Sequence, residues 1–589
     1  MFEILDKINN PKDIKKLDSS ELVLLAQDVR DAVLNRVSKI GGHVGPNLGI
    51  VETTIALHYV FDTPKDKIVF DVSHQCYPHK ILTERKHGFL NEEDFDKVSG
   101  YLSPEESDFD TFKIGHTSTS ISLATGVAKA RDLLGENYAV VALIGDGSLS
   151  GGEAFEGLNN ASTLKSNFII IVNDNEMSIA ENQGGLYSNL KELRKTHGRS
   201  ENNFFKTFGF DYIYLEEGNN IEKLISTFES VKHTKKPVVV HIHTLKGKGL
   251  NYAESQKEHW HWSSPFDITT GKLLSSKPDK TCNDAIVSYL KNKAKLSKKL
   301  AVITAATPGI FGFDEHFRKT LGNQYIDVGI AEEHAVAFAS GLAKSGVKPV
   351  LAFNSSFIQR TYDQLSQDLA LNNSPVVVLV YRSEISGASS THLGVFDLQV
   401  TNNIPNIVNI SPTNTIEMLS VLDWAIEQNE HSVIIRVPNE TCAKDPILED
   451  FDGLINKYKV VSKEKHIALI GLGTFFELAK NVKELLEEKY GISATLINPM
   501  FSSGLDTDTL EKLKTDHSVV ATFENGVLDG GWGEKISRFY GTSQIKVLNF
   551  GAIKEFTDCV PTNELKKRYH LTPDLACNDI YKCFSTNNK

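Results

Sequence analysis

Runs rich in valine and isoleucine alternate with helical patterns along this chain, break off, and restart twice. The first set comprises Lys67–Phe70, Tyr138–Ile144, Phe168–Val172 and Pro237–Ile242. Runs this apolar belong to strands buried on both faces, and strands alternating with helices make a parallel sheet wrapped on both sides. The plainest helix is Ser19–Ile40. Leu22, Leu25, Ala26, Val29, Val33 and Val37 recur at helical spacing, Asp18-Ser19-Ser20 offers caps, and Gly41-Gly42 ends it. The second set of strands is expected at Leu300–Thr304, Tyr325–Val328, Pro349–Phe353 and Pro375–Tyr381. The third is expected at Ile467–Ile470, Ala494–Ile497, Val519–Phe523 and Ile545–Phe550. Polar stretches at 275–280 and 439–465 separate the sets. The fold class is therefore α/β, with three doubly wound domains at 1–285, 286–455 and 456–589, a division that suits 589 residues.

Charge narrows the function. Lysine and arginine number 63 against 75 acidic residues, a net charge of −12 that offers nothing to neutralise a run of nucleic-acid phosphates. No stretch is long and apolar enough for a membrane span, and Met1–Asp6 lacks the segments of a signal peptide. The six cysteines (76, 282, 442, 559, 577 and 583) include no Cys-x-x-Cys pair, the usage of a reducing compartment. A cytoplasmic protein is expected.

Open parallel sheets bind ligands at the carboxyl ends of their strands. Two such ends fall close together here. The strand Tyr138–Ile144 runs into Gly145-Asp146-Gly147, and Phe168–Val172 runs into Asn173-Asp174-Asn175. The glycines permit a tight turn and close backbone approach to phosphate oxygens. Asp146 and the side-chain carbonyl of Asn175 are hard oxygen ligands suited to magnesium, with a diphosphate filling the remaining positions. A Gly-Asp-Gly turn with Asn175 placed 29 residues after Asp146 resembles the fingerprint of thiamine-diphosphate enzymes. That cofactor needs a carboxyl group against its aminopyrimidine, and the cofactor then carries the difficult chemistry. Glu332 and Glu333, after the strand Tyr325–Val328, are the candidates; in an apolar pocket such a carboxyl keeps its proton near neutral pH.

Further runs carry a closer likeness. They are Gly42 to Gly49 (Gly-His-Val-Gly-Pro-Asn-Leu-Gly), Asp71 to Lys80 with His74, Gln75 and His79, Gly115 to Ser122, Lys246 to Gly249, Ala331-Glu332, Phe357 to Gln364 and Pro573-Asp574. With these the chain resembles the 1-deoxy-D-xylulose-5-phosphate synthase family, relatives of transketolase, over nearly its whole length. The resemblance implies a transketolase-like architecture with diphosphate-binding, pyrimidine-binding and carboxy-terminal domains in that order. It implies thiamine diphosphate and Mg2+ as cofactors, with Asp146, Asn175 and the main chain of Met177 on the metal. Gly145, Gly147, Ser148, Ser118 and Lys246 would lie near the diphosphate. Glu332 would activate the aminopyrimidine, Phe357 would stack on it, and Ile330 and Arg360 would adjoin the cofactor.

The likeness also implies that His43, His74, His261 and His392 line the catalytic cavity and that His43, Arg360, Arg382 and His392 meet substrate. Family members are homodimers that decarboxylate pyruvate and transfer the remaining two carbons to D-glyceraldehyde 3-phosphate, supplying isoprenoid, thiamine and pyridoxal synthesis. The acceptor side departs from the pattern. Asn439 stands where an arginine is usual, with Glu440 next to it; Asn354 replaces a tyrosine; and Arg382-Ser383-Glu384 adds an acid. Gly387–His392 is one residue short and lacks an aspartate, and Gly218-Asn219-Asn220 replaces Asp-Gly-His. Fewer paired guanidinium contacts would weaken the grip on a phosphate dianion. A ketol-forming relative using an unphosphorylated aldehyde, and a cofactor-binding scaffold, are the alternative readings.

Overall fold

A computed structural model describes residues 2–275, 280–387, 389–441, 448 and 451–587. Cys442, Ala388 and parts of both polar separators lie outside the described residues. Two compact units emerge: the described residues up to 275, joined by Gly329–Ala331, and the remainder from 280 onward. The helix Ser19–Ile40 forms as its spacing predicts. Asp18 accepts from the backbone of Ser20 and Glu21, and Gly41, at φ 82°, ends it. The helix Cys282–Leu296 crosses the boundary placed at 285.

The first unit holds one five-stranded sheet of β1 (Lys67–Phe70), β2 (Val140–Gly145), β3 (Phe168–Asp174), β4 (Asp211–Leu215) and β5 (Pro237–His243). All pairings are parallel, in the order β1-β2-β3-β5-β4. Successive side chains divide between two cores, as the two-residue period of a strand requires. Val141, Leu143, Ile169 and Ile171 join the core containing helix Ser19–Ile40, while Val140, Ala142, Ile144 and Ile170 face the core under helices Ser120–Leu134 and Gly152–Ala161.

The second unit carries two sheets. One comprises β6 (Leu300–Thr304), β7 (Tyr325–Asp327), β8 (Lys348–Asn354), β9 (Val377–Tyr381), β10 (Ile407–Ile410) and β11 (Ser432–Arg436), all parallel. The other comprises β12 (Lys459–Ser462), β13 (His466–Gly471), β14 (Thr495–Asn498), β15 (His517–Val527) and β16 (Lys546–Ala552). Its edge strand β12 pairs antiparallel to β14, so this sheet is mixed rather than wholly parallel. Strands β4, β10, β11 and β12 are not in the sequence expectation. β4 and β12 are partly exposed and interleaved with polar residues, so neither shows a long apolar run.

Among the described residues no helix is long and apolar enough to cross a membrane.

Candidate cofactor and active site

Parallel pairing of β2 with β3 sets Gly145 opposite Asn173, so the two loops singled out in the sequence leave the sheet side by side. The Asp146 backbone N–H donates to the Asn173 carbonyl at 3.1 Å, tying them together. The three residues of the second loop then have different fates. Asn173 Oδ1 accepts from Thr244 Oγ1 at 2.5 Å. Asp174, fully buried, pairs with Arg194 and lies 2.9 Å from His241 Nε2. Asn175 is nearly buried, yet its Oδ1 has no hydrogen-bond partner among the described residues.

Asp146 is buried as well, and Asn182 Nδ2 donates to its Oδ2 at 2.7 Å. Burial, with the Asp174 charge nearby, pushes the Asp146 carboxyl well above the ordinary carboxylate range. Asp174 moves the other way because His241 and Arg194 outweigh its own burial. A buried carboxylate and an unpartnered amide oxygen on neighbouring loops are the donor types a hard divalent cation takes. Such a cation would draw its remaining ligands from other oxygens, those of a diphosphate and water among them.

Gly147 packs tightly against the segment that follows Asn175. A Cβ there would meet the Ser178 Cα, Cβ and Oγ at 2.9 Å, so only glycine leaves the backbone accessible. Tyr187 donates its hydroxyl to the Gly147 carbonyl at 3.1 Å and steadies the turn. Ser118, at φ 76°, donates its hydroxyl to the Ser148 carbonyl at 2.8 Å. Asp71 holds that segment by accepting from the backbone of Ser118 at 2.8 Å and of Ser120 at 3.0 Å. Ser150 Oγ lies 3.1 Å from the Ile330 nitrogen and 3.3 Å from its carbonyl oxygen. Ile330, expected in the second domain, therefore belongs structurally to the first unit.

Lys246 links this region to the histidines. Its stem is buried and its Nζ donates to the Ser178 carbonyl at 2.6 Å, with His261 Nδ1 at 3.1 Å. Burial brings its ammonium down to about 7, against the pull of Asp146. His43, His74 and His261 then form a triangle with ring centroids 5.2, 5.3 and 5.6 Å apart. Burial first, and mutual repulsion with Lys246 second, hold His43 and His261 well below the usual imidazole range. Both rings are neutral at pH 7, able to accept a proton or to donate one through the other nitrogen.

The second unit assembles the other expected residues. Glu332 opens the helix Glu332–Lys344 and is buried. Burial raises its carboxyl above the ordinary range, opposed by Arg360, whose Nη1 lies 3.5 Å from Oε2. Phe357 and His392 meet edge to face at 5.6 Å between centroids. Arg382, with φ 58°, accepts at its carbonyl from Ser355 Oγ at 2.9 Å.

The altered acceptor residues have acquired partners of their own. Asn439 Nδ2 donates to both oxygens of Glu384, each at 3.0 Å. Glu440 does not extend an acidic patch. It caps the helix Thr415–Glu427, accepting from Thr415 N at 2.5 Å and Oγ1 at 2.7 Å. Arg436 is committed elsewhere: it grips Asp397 at 2.7 and 3.1 Å and donates to the Asn525 carbonyl at 2.6 Å. Asn354 accepts from Ser356 N at 3.3 Å. In the first unit, Asn219 donates to the Gly49 carbonyl at 3.0 Å and to Glu52 at 3.1 Å, a structural role. Asn182, Tyr187 and Asp71 escaped the sequence reading because their partners are fixed by loop conformation, although Asp71 opened a quoted motif.

A family model described as 1-deoxy-D-xylulose-5-phosphate synthase matches residues 5–202 and 196–244. Models of the transketolase pyrimidine binding domain and C-terminal domain match 281–443 and 456–575. The 1-deoxy-D-xylulose-5-phosphate synthase of Lachnoclostridium phytofermentans is 39% identical, over 98% of this chain and 99% of that one. That of Clostridium acetobutylicum is 38% identical over 98% and 99%. A crystal structure of transketolase from Campylobacter jejuni aligns with a TM-score of 0.44 at 17% identity, over 96% of this chain and 100% of that one. With identity at this level sustained from end to end, the chain belongs to the 1-deoxy-D-xylulose-5-phosphate synthase family.

Proposed function

We infer that the chain joins pyruvate to D-glyceraldehyde 3-phosphate to give 1-deoxy-D-xylulose 5-phosphate, a precursor in isoprenoid and thiamine synthesis. The bond between the carboxylate and the ketone carbon breaks, carbon dioxide leaves, that carbon bonds to the aldehyde carbon, and the aldehyde oxygen takes up one proton. Thiamine diphosphate, when bound with Mg2+, supplies the electron sink that lets the carboxylate leave. The observation that carries the reading is the unpartnered Oδ1 of Asn175 beside buried Asp146, on two adjacent strand ends.

Asp146, Asn175 Oδ1 and the Met177 carbonyl would hold the metal, Gly145, Gly147, Ser148 and Ser118 would shape the diphosphate cradle, and Lys246 would offset its charge. Glu332, whose carboxyl burial raises above the ordinary range, would donate to the aminopyrimidine, Phe357 would offer it an aromatic face, and Ile330 and Arg360 would adjoin it. Neutral His43 and His261, with His74 and His392, orient the reacting groups and move the proton that ends on the product hydroxyl. Arg382 and Arg360 meet the acceptor, since Arg436 is held by Asp397. The working form is a cytoplasmic homodimer with diphosphate-binding, pyrimidine-binding and carboxy-terminal domains.

An acceptor screen with pyruvate, thiamine diphosphate and Mg2+ tests this. The highest kcat/KM is expected with D-glyceraldehyde 3-phosphate; equal or better turnover of unphosphorylated glyceraldehyde overturns the acceptor assignment.

A further inference from the structure

His43 and His74 come from separate segments, yet one side chain touches the backbone of both. Asn47, fully buried in the short helix Gly45–Gly49, donates through Nδ2 to the His43 carbonyl at 2.8 Å and the His74 carbonyl at 2.9 Å. Its Oδ1 accepts from the Tyr77 backbone N–H at 2.9 Å. The Tyr77 hydroxyl returns to the first segment, accepting from the His43 N–H at 3.4 Å. Three of the four hydrogen bonds open to an amide are thus spent on the backbones that carry two imidazoles 5.2 Å apart.

We propose that Asn47 is a positioning residue that sets the separation of the His43 and His74 imidazoles by holding both main-chain carbonyls with one amide. No substitution keeps this pattern. Aspartate offers acceptors where two carbonyls need donors, leucine leaves three buried backbone groups unsatisfied, and glutamine shifts the amide by a methylene. Displacement of a reacting group by about 1 Å lowers a rate on the order of a hundredfold. The inference rests on the reading of His43 and His74 as groups at the reacting centre.

The same unit contains a matched control. Asn167, at the opposite end of β3 from the cofactor loops, donates through Nδ2 to the Lys232 carbonyl at 2.8 Å and the Thr234 carbonyl at 3.2 Å. Its Oδ1 accepts from Val140 N at 3.3 Å. Asn47→Asp and Asn167→Asp therefore remove the same pair of donors, one at the histidines and one far from them.

The experiment compares both variants with wild type in the full-length holoenzyme. It records kcat, KM for pyruvate, the pH profile, and the rates at which diethyl pyrocarbonate modifies His43 and His74, read by mass spectrometry. Asn47→Asp is expected to lower kcat at least tenfold with KM changed less than threefold. It is also expected to shift the pH profile, because the repulsion between the two imidazoles changes with their separation, and to speed modification of both histidines. Asn167→Asp is expected to keep kcat within twofold and both modification rates unchanged. Equal kcat losses in the two variants, or an Asn47→Asp enzyme with wild-type pH profile and modification rates, overturn the proposal. Should Asn47→Asp not fold, Asn47→Ser and Asn167→Ser are read by the same criteria, and an unfolded Asn47→Ser beside a folded Asn167→Ser counts against a positioning role. If wild type makes no product from the proposed substrates, the function assigned above fails, while the modification rates still judge Asn47.

Discussion

In the first unit Asn175 keeps its side-chain oxygen out of every hydrogen bond, whereas in the second Asn439 gives its amide to both oxygens of Glu384. The surroundings differ in the same sense. Near Asn175 stand a buried carboxyl raised by its burial and a buried lysine brought down to about 7, groups whose charged forms the buried site disfavours. Near Asn439, Arg436 is paired with Asp397, and Glu440 caps a helix. Buried polar groups in folded proteins are almost always satisfied, so the unmet Asn175 oxygen calls for a partner, which a ligand would supply. The altered residues Asn439 and Glu440 instead have their hydrogen bonds met within the chain.

Four substitutions probe this contrast. Glu332→Gln should lower carbon dioxide release from pyruvate by about 10²–10⁴-fold, the size of a general acid–base contribution. Trapping of released carbon dioxide measures it, and activity within twofold of wild type would remove Glu332 from the machinery. Arg436→Met should destabilise the second unit by about 3–5 kcal/mol, because it strands Asp397 as a buried unpaired charge. Urea unfolding reads that loss, and one below about 1 kcal/mol would show that the pair is not the settled contact described here.

The third substitution sharpens the first unit's burial of neutral imidazoles. His43, His58 and His261 are all held below the usual range, chiefly by burial. Below an unfolded value of about 6.5 the unfolded chain binds protons that the folded chain refuses. Stability present above that pH is therefore lost on acidification, by up to about 1.4 kcal/mol per pH unit for each histidine. His58→Asn should flatten the fall between pH 6.5 and 5.5 by one such increment, and an unchanged slope would show that His58 titrates alike in both states.

The smallest effect belongs to Glu384→Ala. Removing a partly exposed acid beside the acceptor residues should lower KM for glyceraldehyde 3-phosphate about two- to fivefold, the range of an exposed charge contact. KM for unphosphorylated glyceraldehyde should not move. An equal change for both acceptors would place Glu384 away from the phosphate.

How much of this was legible in the sequence follows the same divide. The loops after β2 and β3 are local: strand, turn and ligand residue adjoin in the chain, so Asp146, Gly147 and Asn175 could be named from spacing. The apolar runs revealed the central strands because both faces of each are buried. Edge strands β4 and β12 carry polar residues and stayed hidden. Around Asn439, charges are visible along the chain but their partners are not. Glu440 reads there as added negative charge, whereas in the fold it caps a helix through Thr415, and the commitment of Arg436 to Asp397 spans 39 residues that spacing does not connect. Asn47 lay inside a quoted motif, but its importance comes from three long-range backbone contacts that spacing does not encode.

The proposed metal site rests on Asp146 and Asn175, and the metal would bring the diphosphate with it. Calorimetric titration of Asn175→Ala with thiamine diphosphate, at fixed Mg2+ and again without metal, tests it most directly. Because Oδ1 makes no hydrogen bond within the chain, the variant should keep its unfolding midpoint close to wild type while losing at least tenfold in Mg2+-dependent affinity. Undiminished affinity in the presence of Mg2+ would contradict the account.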